Sequence, residues 1–259
     1  MKKYLVIGNP IEHSLSPQLH NYWIKENNIN AIYEKKKLNE SDIEGIISEV
    51  KNNKIDGINI TVPFKKFVIP YLNELTPLAE KIQSVNTIFK KDNKIVGDNT
   101  DISGFEKSLK HINFTVKNKK VFILGAGGVA SSIIFALERL GADKIILSNR
   151  TQEKAENLKK NYSSLETINW GETPDFDIII NTTSLGLKNI DKIELNYQKI
   201  GSGKLFYDVI YNHTKTNFLL KGEEYGNQIA NGKMMFIYQA QLAFKIWHNI
   251  LPKVHDKLL

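Results

Sequence analysis

The chain has 259 residues, 41% of them hydrophobic, and no cysteine, which allows one large or two modest domains and excludes disulfides and metal–thiolate sites. Its net charge of +7 comes from lysines scattered along the whole chain, so we expect an electrostatic field that suits small anions and no nucleic-acid partner. No apolar run has the length of a signal peptide or a membrane span, which predicts a cytoplasmic protein with no membrane partner.

The first predicted strand is Tyr4–Ile7, and a loop with two serines follows it. Pro17 fits the first position of a helix and Ser16 fits its N-cap. Ser14 has no such local role. Because two hydroxyls beside a helix N-terminus also suit a bound carboxylate, Ser16 has two interpretations at this point, a helix cap and a ligand-binding residue.

A second strand is predicted over Ala31–Leu38, and the sequence 41–44 has the pattern of a capping box that starts a helix. The third strand, Ile55–Val62, alternates: positions 58, 60 and 62 are apolar, whereas Asn59 and Thr61 share the other face with a glycine. Strands of parallel sheets are usually apolar on both faces. Polar residues near the carboxyl end of this strand therefore indicate a ligand site.

Lys65 lies just beyond that strand, after a proline. Taken alone it has the pattern of a solvated surface lysine, because Lys66 stands beside it. Further on, the segments 84–89 and 94–97 flank Asp92 and Asn93 and predict a hairpin. Asp101 then opens a helix that extends to about residue 111. An acidic residue in the first turn is stabilised by the helix dipole, and this local role is the simpler interpretation of Asp101.

A βαβ unit follows, with a strand over Val121–Leu124, a glycine turn, an apolar-periodic helix and a second strand over Lys144–Ser148. Glycines in such a turn let the backbone approach a pyrophosphate, and the helix N-terminus offers unpaired N–H groups to it. The unit predicts a dinucleotide site. Arg150, at the end of the second strand, stands where NAD-binding units carry an acid, which favours NADP over NAD. The alternative for this residue is an ordinary surface arginine.

The rest of the chain continues the alternation of strands and helices. A helix is predicted over Gln152–Tyr162, strands over Asp177–Asn181 and Lys204–Ile210, and an apolar helix over Met234–Leu251. The polar loop after residue 181 either faces the cofactor or is a plain turn. Gln239, inside the last helix, needs a hydrogen-bond partner. The six histidines show no ligand spacing, so no metal site is predicted.

Taken together, these segments resemble the shikimate dehydrogenase family. The resemblance covers essentially the whole chain and rests on segments in the family's order and spacing: Ser14-Leu15-Ser16-Pro17, Asn59-Ile60-Thr61-Val62-Pro63 with Lys65, Asn86-Thr87, Gly97 with Asn99-Thr100-Asp101, the Gly125 turn, Asn149-Arg150-Thr151, Asn181-Thr182-Thr183-Ser184, Asp208 with Ile210-Tyr211, and Met234 to Ala240.

The resemblance implies reversible, NADPH-dependent reduction of 3-dehydroshikimate to shikimate, in the route to chorismate and the aromatic amino acids. It implies Lys65 and Asp101 as the catalytic pair. Ser14, Ser16 and Tyr211 would bind the substrate carboxylate, and the ring hydroxyls would be bound by Asn59, Thr61, Asn86 and Gln239. The implied NADP-binding residues are Gly125, Ala126, Gly127, Gly128, Val129, Ala130, Asn149, Arg150, Thr151, Thr182, Thr183, Ser184 and Gly232.

Two positions depart from the family pattern. His213 stands where the family often has proline, and Leu187 where it often has methionine. Both are expected beside the cofactor or the edge of the substrate rather than at the catalytic pair. They are expected to affect the packing of the nicotinamide more than the reaction itself.

The implied fold is α/β with two domains. Residues 1–101 would form a substrate-binding domain to which 232–259 return, and 102–231 a Rossmann-type NADP-binding domain, with the active site in the cleft between them. Two alternatives stay open: a quinate/shikimate dehydrogenase of broader specificity, and a non-catalytic NADP-binding regulator. The expected partner is a small-molecule substrate, and a homodimer is a further possibility.

Overall fold

The structure is a computed structural model that describes residues 1–188, 190–255 and 258. It divides into two compact units: Met1–Gly104 with Ile237–Leu259, and Phe105–Phe236. Both are mixtures of helices and strands, as the sequence predicts. Among the described residues, none of the helices combines the length and the apolar character needed to cross a membrane.

The first part of the chain builds a mixed sheet with helices, ending in a helix that crosses from the first unit to the second. Its elements are β1 (Lys2–Gly8), α1 (Ser16–Glu26), β2 (Ala31–Lys37), α2 (Ile43–Lys51), β3 (Gly57–Ile60), β4 (Glu74–Leu75), α3 (Pro77–Ile82), β5 (Thr87–Lys91), β6 (Lys94–Asp98) and α4 (Asp101–His111).

The second part alternates strands and helices, and its last helix carries the chain back to the first unit. Its elements are β7 (Lys120–Leu124), α5 (Ala130–Arg139), β8 (Lys144–Ser148), α6 (Gln152–Lys159), β9 (Leu165–Ile168), β10 (Ile178–Asn181), α7 (Tyr197–Ile200), β11 (Leu205–Asp208), α8 (Asn217–Glu224), β12 (Gln228–Ala230) and α9 (Lys233–His248).

The sheet of the first unit has the order β2-β1-β3-β5-β6-β4. β1 pairs in parallel with β2 and β3, whereas β5 is antiparallel to β3, and β6 to β5. The predicted hairpin turn is confirmed, because Asp92 and Asn93 have the positive φ angles (49° and 62°) that such a turn requires. As a result, the ends of β1, β3 and β6 and the start of β5 lie at one edge of the sheet.

The sheet of the second unit has the order β12-β11-β10-β7-β8-β9, and its strands pair in parallel. Counted from β7, this is the doubly wound order of dinucleotide-binding folds. The direction of winding reverses between β7 and β10. Ligands of such sheets bind at that reversal, outside the carboxyl ends of the strands, so the topology singles out the loops after β7 and β10.

Three local predictions are wrong, each because the element begins or ends at a different residue from the one predicted. Ser16 is the first residue of α1, whose N-cap position is Leu15. The capping box is formed by Asn39 and Asp42, in a short 3-10 helix that precedes α2. Val62, predicted to be the last residue of the third strand, is 50% exposed because β3 ends at Ile60 and the next residues form turns.

The face of β3 that carries the polar residues is covered by α9. A Cβ atom at Gly57 would lie 2.3 Å from Trp247 Nε1, so the glycine leaves the space that the indole occupies. The same indole nitrogen donates to the carbonyl oxygen of Ile88 at 3.1 Å. These contacts attach α9 to the sheet of the first unit.

His20 is an exception in the core of the first unit. Its side chain is 1% exposed, and neither ring nitrogen has a hydrogen-bond partner within the described part of the chain. The ring stacks on Tyr33 with centroids 4.2 Å apart and planes at 4°. Burial, and secondarily the nearby charge of His248, lower the pKa of His20 from 6.5 to about 3. The protein therefore folds with a neutral His20.

We predict that His20→Phe reduces the loss of stability in acid. In the unfolded chain this histidine binds a proton below pH 6.5, whereas in the folded protein it binds one only near pH 3. His20 therefore lowers the free energy of unfolding by up to about 1.4 kcal/mol for each pH unit that the pH falls within that window. Phenylalanine keeps the stacking surface and has nothing to protonate. Urea denaturation at several pH values between 4 and 7.5 measures the slope.

The matched control is His13→Asn, at an exposed position, which should leave the pH slope of the wild type unchanged. His248, whose own pKa burial lowers to about 4, keeps its contribution in every variant. An unchanged slope in His20→Phe would contradict the assignment of this acid sensitivity to His20.

Candidate active site

The sheet topology of the first unit assembles the predicted catalytic residues. Lys65 follows the end of β3, Asn86 precedes β5, and Asp101 follows β6. Because β5 is antiparallel to both neighbours, all three positions lie at the same edge. In the register of the sheet, Thr87 faces Asn59 on one side and Asp98 on the other. Residues far apart in sequence thus become neighbours.

Lys65 and Asp101 form a buried ion pair. Nζ of Lys65 donates to Oδ2 of Asp101, and the two residues are only 8% and 6% exposed. This rules out the solvated-lysine interpretation of Lys65. The carbonyl oxygen of Lys65 accepts from the N–H of Val85 at 2.9 Å, which ties the loop after β3 to the segment before β5.

Asn86 sets the orientation of the acid. Its Oδ1 accepts the backbone N–H of Thr100 at 2.8 Å, and since an N–H only donates, this contact fixes which end of the amide is oxygen. Nδ2 of Asn86 then donates to Oδ1 of Asp101 at 2.9 Å. Each oxygen of Asp101 therefore has its own hydrogen-bond partner, Lys65 Nζ at Oδ2 and Asn86 Nδ2 at Oδ1.

Asn59 belongs to the same network. Its Nδ2 donates to the carbonyl oxygen of Asn86 and to Oγ1 of Thr87, both at 3.1 Å, and its Oδ1 accepts from Tyr33 at 2.7 Å. Both amide hydrogens are thus used inside the protein. Toward a ligand, Asn59 has only the remaining lone pair of Oδ1, so it would accept from a hydroxyl rather than donate.

The other predicted substrate residues of the first unit lie near this edge. Ser14 Oγ is 3.2 Å from Ser16 Oγ and accepts the N–H of Ser16 at 3.3 Å. Thr61, just beyond β3, is held by its N–H to the carbonyl oxygen of Ile7 at 2.9 Å. Gln239 on α9 brings Oε1 to 3.5 Å from Nδ2 of Asn86. Tyr211 belongs to the second unit, where its ring stacks on Phe236 at 4.2 Å.

The glycine turn after β7 has the geometry of a phosphate loop. Gly125 has φ +102°, and a Cβ there would lie 2.7 Å from Thr183 Cγ2. A Cβ at Gly127 would meet nothing closer than 3.5 Å. Gly125 is thus required by the backbone, whereas Gly127 and Gly128 are exposed and leave the approach to the backbone open.

The start of α5 fits a dinucleotide phosphate. Val129 is its N-cap residue, and no side chain in the described ranges caps this end. The N–H of Ala130 donates to the carbonyl oxygen of Gly127 at 3.1 Å, and the positive end of the helix dipole suits an anion. Ala126 N–H is held by Oδ1 of Asn149 at 2.9 Å, and Nδ2 of Asn149 donates to the carbonyl oxygen of Thr151 at 2.7 Å. Arg150, between them in sequence, is exposed and fits a 2′-phosphate by charge.

The loop after β10 packs directly against the glycine turn. Thr182 Oγ1 donates to the carbonyl oxygens of Leu124 and Gly125, at 2.9 and 2.7 Å. Thr183 is half-buried and Ser184 exposed. Gly232 is buried against the carbonyl of Val209, which would lie 2.1 Å from a Cβ. The structure therefore gives Thr182 and Gly232 a backbone-packing role.

Sequence analysis assigned no individual role to Asn181 and Asp208, two residues that organise the carboxyl ends of β10 and β11. Asn181 donates from Nδ2 to Oδ1 of Asp208 at 3.1 Å and accepts the N–H of Thr183 on its own Oδ1 at 3.0 Å. Asp208 also accepts from Thr216 Oγ1 at 2.6 Å and from the N–H of Ile210 at 3.0 Å. Their position at the last residue of adjacent parallel strands was the signal available in the sequence.

The two departures from the family pattern are in contact. A ring nitrogen of His213, Nε2, lies 2.9 Å from the carbonyl oxygen of Leu187. Because a carbonyl only accepts, Nε2 carries the hydrogen in this contact. His213 thus connects the loop after β11 to the loop after β10.

Comparisons with known proteins were made for the whole chain. A family model described as the shikimate dehydrogenase substrate binding domain matches residues 6–88, and one described as shikimate / quinate 5-dehydrogenase matches residues 107–208. The shikimate dehydrogenase (NADP(+)) of Pelagibacter ubique is 61% identical over 258 residues, which are 100% of this chain and 97% of that protein.

Solved structures give the same result. The shikimate dehydrogenase of Aquifex aeolicus has a TM-score of 0.90 at 38% identity, covering 98% of this chain and 94% of that chain. The shikimate 5-dehydrogenase of Thermus thermophilus, solved in complex with NADP(H) and shikimate, has a TM-score of 0.89 at 28% identity, covering 98% and 95%.

We predict that Asp208→Asn makes the change in stability on lowering the pH from about 6 to 4 less favourable than in the wild type. Burial is the largest cause that raises the pKa of Asp208 from 3.8 to about 6, so the folded protein takes up a proton there before the unfolded chain does. Asp208 therefore contributes stability that grows as the pH falls through 6 and is complete below 3.8, opposite in sign to the contribution of His20. Asparagine has no charge to bury, and its Nδ2 can donate to the Thr216 hydroxyl.

Thermal unfolding of wild type and Asp208→Asn at pH 5 and pH 8 measures the difference. The variant should be at least as stable as the wild type at pH 8, and its change in stability from pH 8 to pH 5 should be less favourable than that of the wild type. The same change at the exposed Asp92 serves as the control. Equal changes in Asp208→Asn and the wild type would show that Asp208 does not contribute this pH dependence.

Proposed function

This chain belongs to the shikimate dehydrogenase family, and we propose that it interconverts 3-dehydroshikimate and shikimate with NADP, using Lys65 and Asp101 as its catalytic pair. It is an NADP-dependent oxidoreductase that acts on a CH–OH group, as its 61% identical relative is. The observation that carries the proposal is the buried Lys65–Asp101 pair with its hydrogen-bonded asparagine.

In the proposed reaction, Lys65 moves the proton. Reduction of a ketone requires a proton on the oxygen as hydride reaches the carbon, and oxidation requires its removal. Nζ of Lys65 donates that proton to the ketone oxygen and takes it back in the reverse direction. Asp101 holds the side-chain nitrogen of Lys65 in place through Oδ2, while Asn86 Nδ2 holds its Oδ1.

The substrate groups match the remaining side chains. Shikimate carries one carboxylate and several ring hydroxyls. Ser14 and Ser16 offer two hydroxyls 3.2 Å apart for the carboxylate, and Tyr211 is proposed to share that role. Thr61, Asn86 and Gln239 are proposed to bind ring hydroxyls, and Asn59 to accept from one of them.

NADP supplies the hydride acceptor and, when reduced, the hydride donor. Its pyrophosphate is proposed to lie on the glycine turn and on the N-terminal end of α5. The residues concerned are Gly125, Ala126, Gly127 and Gly128 in the turn, and Val129 and Ala130 at the helix. Arg150, flanked by Asn149 and Thr151, is proposed to pair with the 2′-phosphate. Thr182, Thr183, Ser184 and Gly232 are proposed to shape the wall of this site.

We also propose that substrate and cofactor are bound by different domains. Residues 1–101 with 232–259 would bind the substrate, and 102–231 would bind NADP. A cytoplasmic location and assembly as a homodimer stay proposals made from the sequence. A quinate/shikimate dehydrogenase of broader specificity is the second candidate, favoured by the description of the family model that matches residues 107–208.

The test is an absorbance assay at the reduced-nicotinamide band with shikimate or quinate and NADP or NAD, in all four pairings. Activity with shikimate and NADP alone supports the proposal. Comparable rates with quinate or NAD assign the protein to the broader group. Inactivity in every pairing, from protein that binds NADP, supports a non-catalytic regulator.

We predict that Lys65→Ala lowers kcat by about a thousandfold, the scale of a lost general acid–base residue. The matched control is Lys66→Ala at the neighbouring exposed lysine, which should keep kcat within about twofold. Both variants carry the same charge change, so steady-state kinetics separates position from net charge. A Lys65→Ala enzyme with wild-type kcat would contradict the mechanism.

We predict that Arg150→Ala weakens NADP binding by at least about tenfold and leaves NAD binding almost unchanged, since only NADP has the 2′-phosphate. Isothermal titration with both cofactors measures the ratio. Lys159→Ala removes one positive charge at the far end of α6 and should change neither affinity appreciably. Equal losses for the two cofactors in Arg150→Ala would refute the assignment.

A further inference from the structure

A chain of hydrogen bonds begins outside the predicted site and ends at the catalytic pair. Its outer member is Tyr33, which is 2% exposed. The phenol ring stacks on the His20 ring with centroids 4.2 Å apart. Its hydroxyl oxygen is 2.7 Å from Oδ1 of Asn59. Tyr33 lies on β2, and no sequence motif singled it out.

Groups that can only donate or only accept fix the direction of each hydrogen bond in this chain of contacts. The carbonyl oxygen of Asn86 only accepts, so the Asn59 atom 3.1 Å away is the amide nitrogen. Oδ1 of Asn59 therefore faces Tyr33, and the phenol must donate to it. At the other end, the N–H of Thr100 fixes Oδ1 of Asn86 as an acceptor.

Thr87 connects the two asparagines. Its hydroxyl is 3.1 Å from Nδ2 of Asn59 and 3.0 Å from Oδ1 of Asn86. Since the first atom only donates and the second only accepts, the hydroxyl receives one hydrogen and gives its own. The side chain is fully buried. Among the described residues of this hydrogen-bond network, the hydroxyl of Thr87 is thus the one that contacts both asparagines.

We propose that Thr87 and Tyr33 are positioning residues of the dehydrogenase. They hold the amides of Asn59 and Asn86 in the orientation that makes Asn86 donate to Asp101 and leaves Asn59 Oδ1 as an acceptor for the substrate. They act through these asparagines and not on the substrate itself. The inference rests on the proposed function, because it assigns their effect to the same reaction.

The test compares Thr87→Val with Thr87→Ser. Valine keeps the shape and loses the hydroxyl, whereas serine keeps the hydroxyl and loses a methyl group. Positioning predicts that kcat/KM for shikimate falls about tenfold or more in Thr87→Val and stays within about threefold in Thr87→Ser. A packing role predicts the reverse order, with valine the better replacement. The KM for NADP should not change in either variant.

A second background shows whether the effect passes through Asn86. In Asn86→Ala, adding Thr87→Val should lower kcat/KM by clearly less than tenfold, because only the part of the effect that passes through Asn59 remains, whereas a general loss of folded structure would cost the same tenfold in both backgrounds. Equal costs overturn the inference. Thermal unfolding of each variant accompanies the kinetics, and Tyr33→Phe, which keeps the stacking ring, provides an independent variant that should raise KM for shikimate about threefold.

These outcomes are distinct from a failure of the proposed function. Wild-type protein that is inactive with shikimate and NADP refutes the function. Active wild type with the valine variant better than the serine variant refutes only the positioning roles.

Discussion

The burial of one ion pair is the constraint on which the first unit depends. Two charges removed from water are stable only where further hydrogen bonds satisfy their remaining atoms. Lys65 and Asp101 meet that condition, because Asn86 donates to the second oxygen of Asp101 and Oδ1 of Asn99 accepts its backbone N–H at 3.1 Å. The antiparallel strands β5 and β6 bring these donors and acceptors to the edge where β3 ends.

The elements that local sequence determines were predicted correctly. The Asp92–Asn93 turn, the helix from Asp101 and the strand–glycine–helix unit around Gly125 depend on neighbours within a few residues. Elements set by distant contacts were missed: β9, β12 and α7 are short and carry weak patterns.

The site shows a similar division. The family resemblance supplied the identity of Lys65, Asp101 and Asn86, yet local sequence alone favoured a solvated lysine and a first-turn acid. Their pairing depends on strand order, which a single sequence does not reveal. The polarity of each amide is still less visible, because the backbone of residues 86 and 100 decides it. Tyr33 gave no signal, since an aromatic residue in a strand is ordinary.

An asparagine holds an aspartate in each unit, and the two cases differ in a way that explains their chemistry. Asn86 and Asn181 both accept a backbone N–H on Oδ1 and donate from Nδ2 to a carboxylate. Asp101 has the side-chain nitrogen of Lys65 as its second partner.

Asp208 is surrounded by neutral donors, from Asn181, Thr216 and the N–H of Ile210. Without a cationic partner in direct contact among the described residues, burial raises its pKa to about 6. Its three hydrogen bonds join the end of β11 to Asn181 at the end of β10 and to Thr216 before α8. The same asparagine–aspartate contact is therefore completed by a lysine in the first unit, where we propose proton transfer, and by hydroxyl and amide groups in the second unit, where it holds loops. The partner of the carboxylate, and not the carboxylate itself, separates the proposed catalytic site from the structural one.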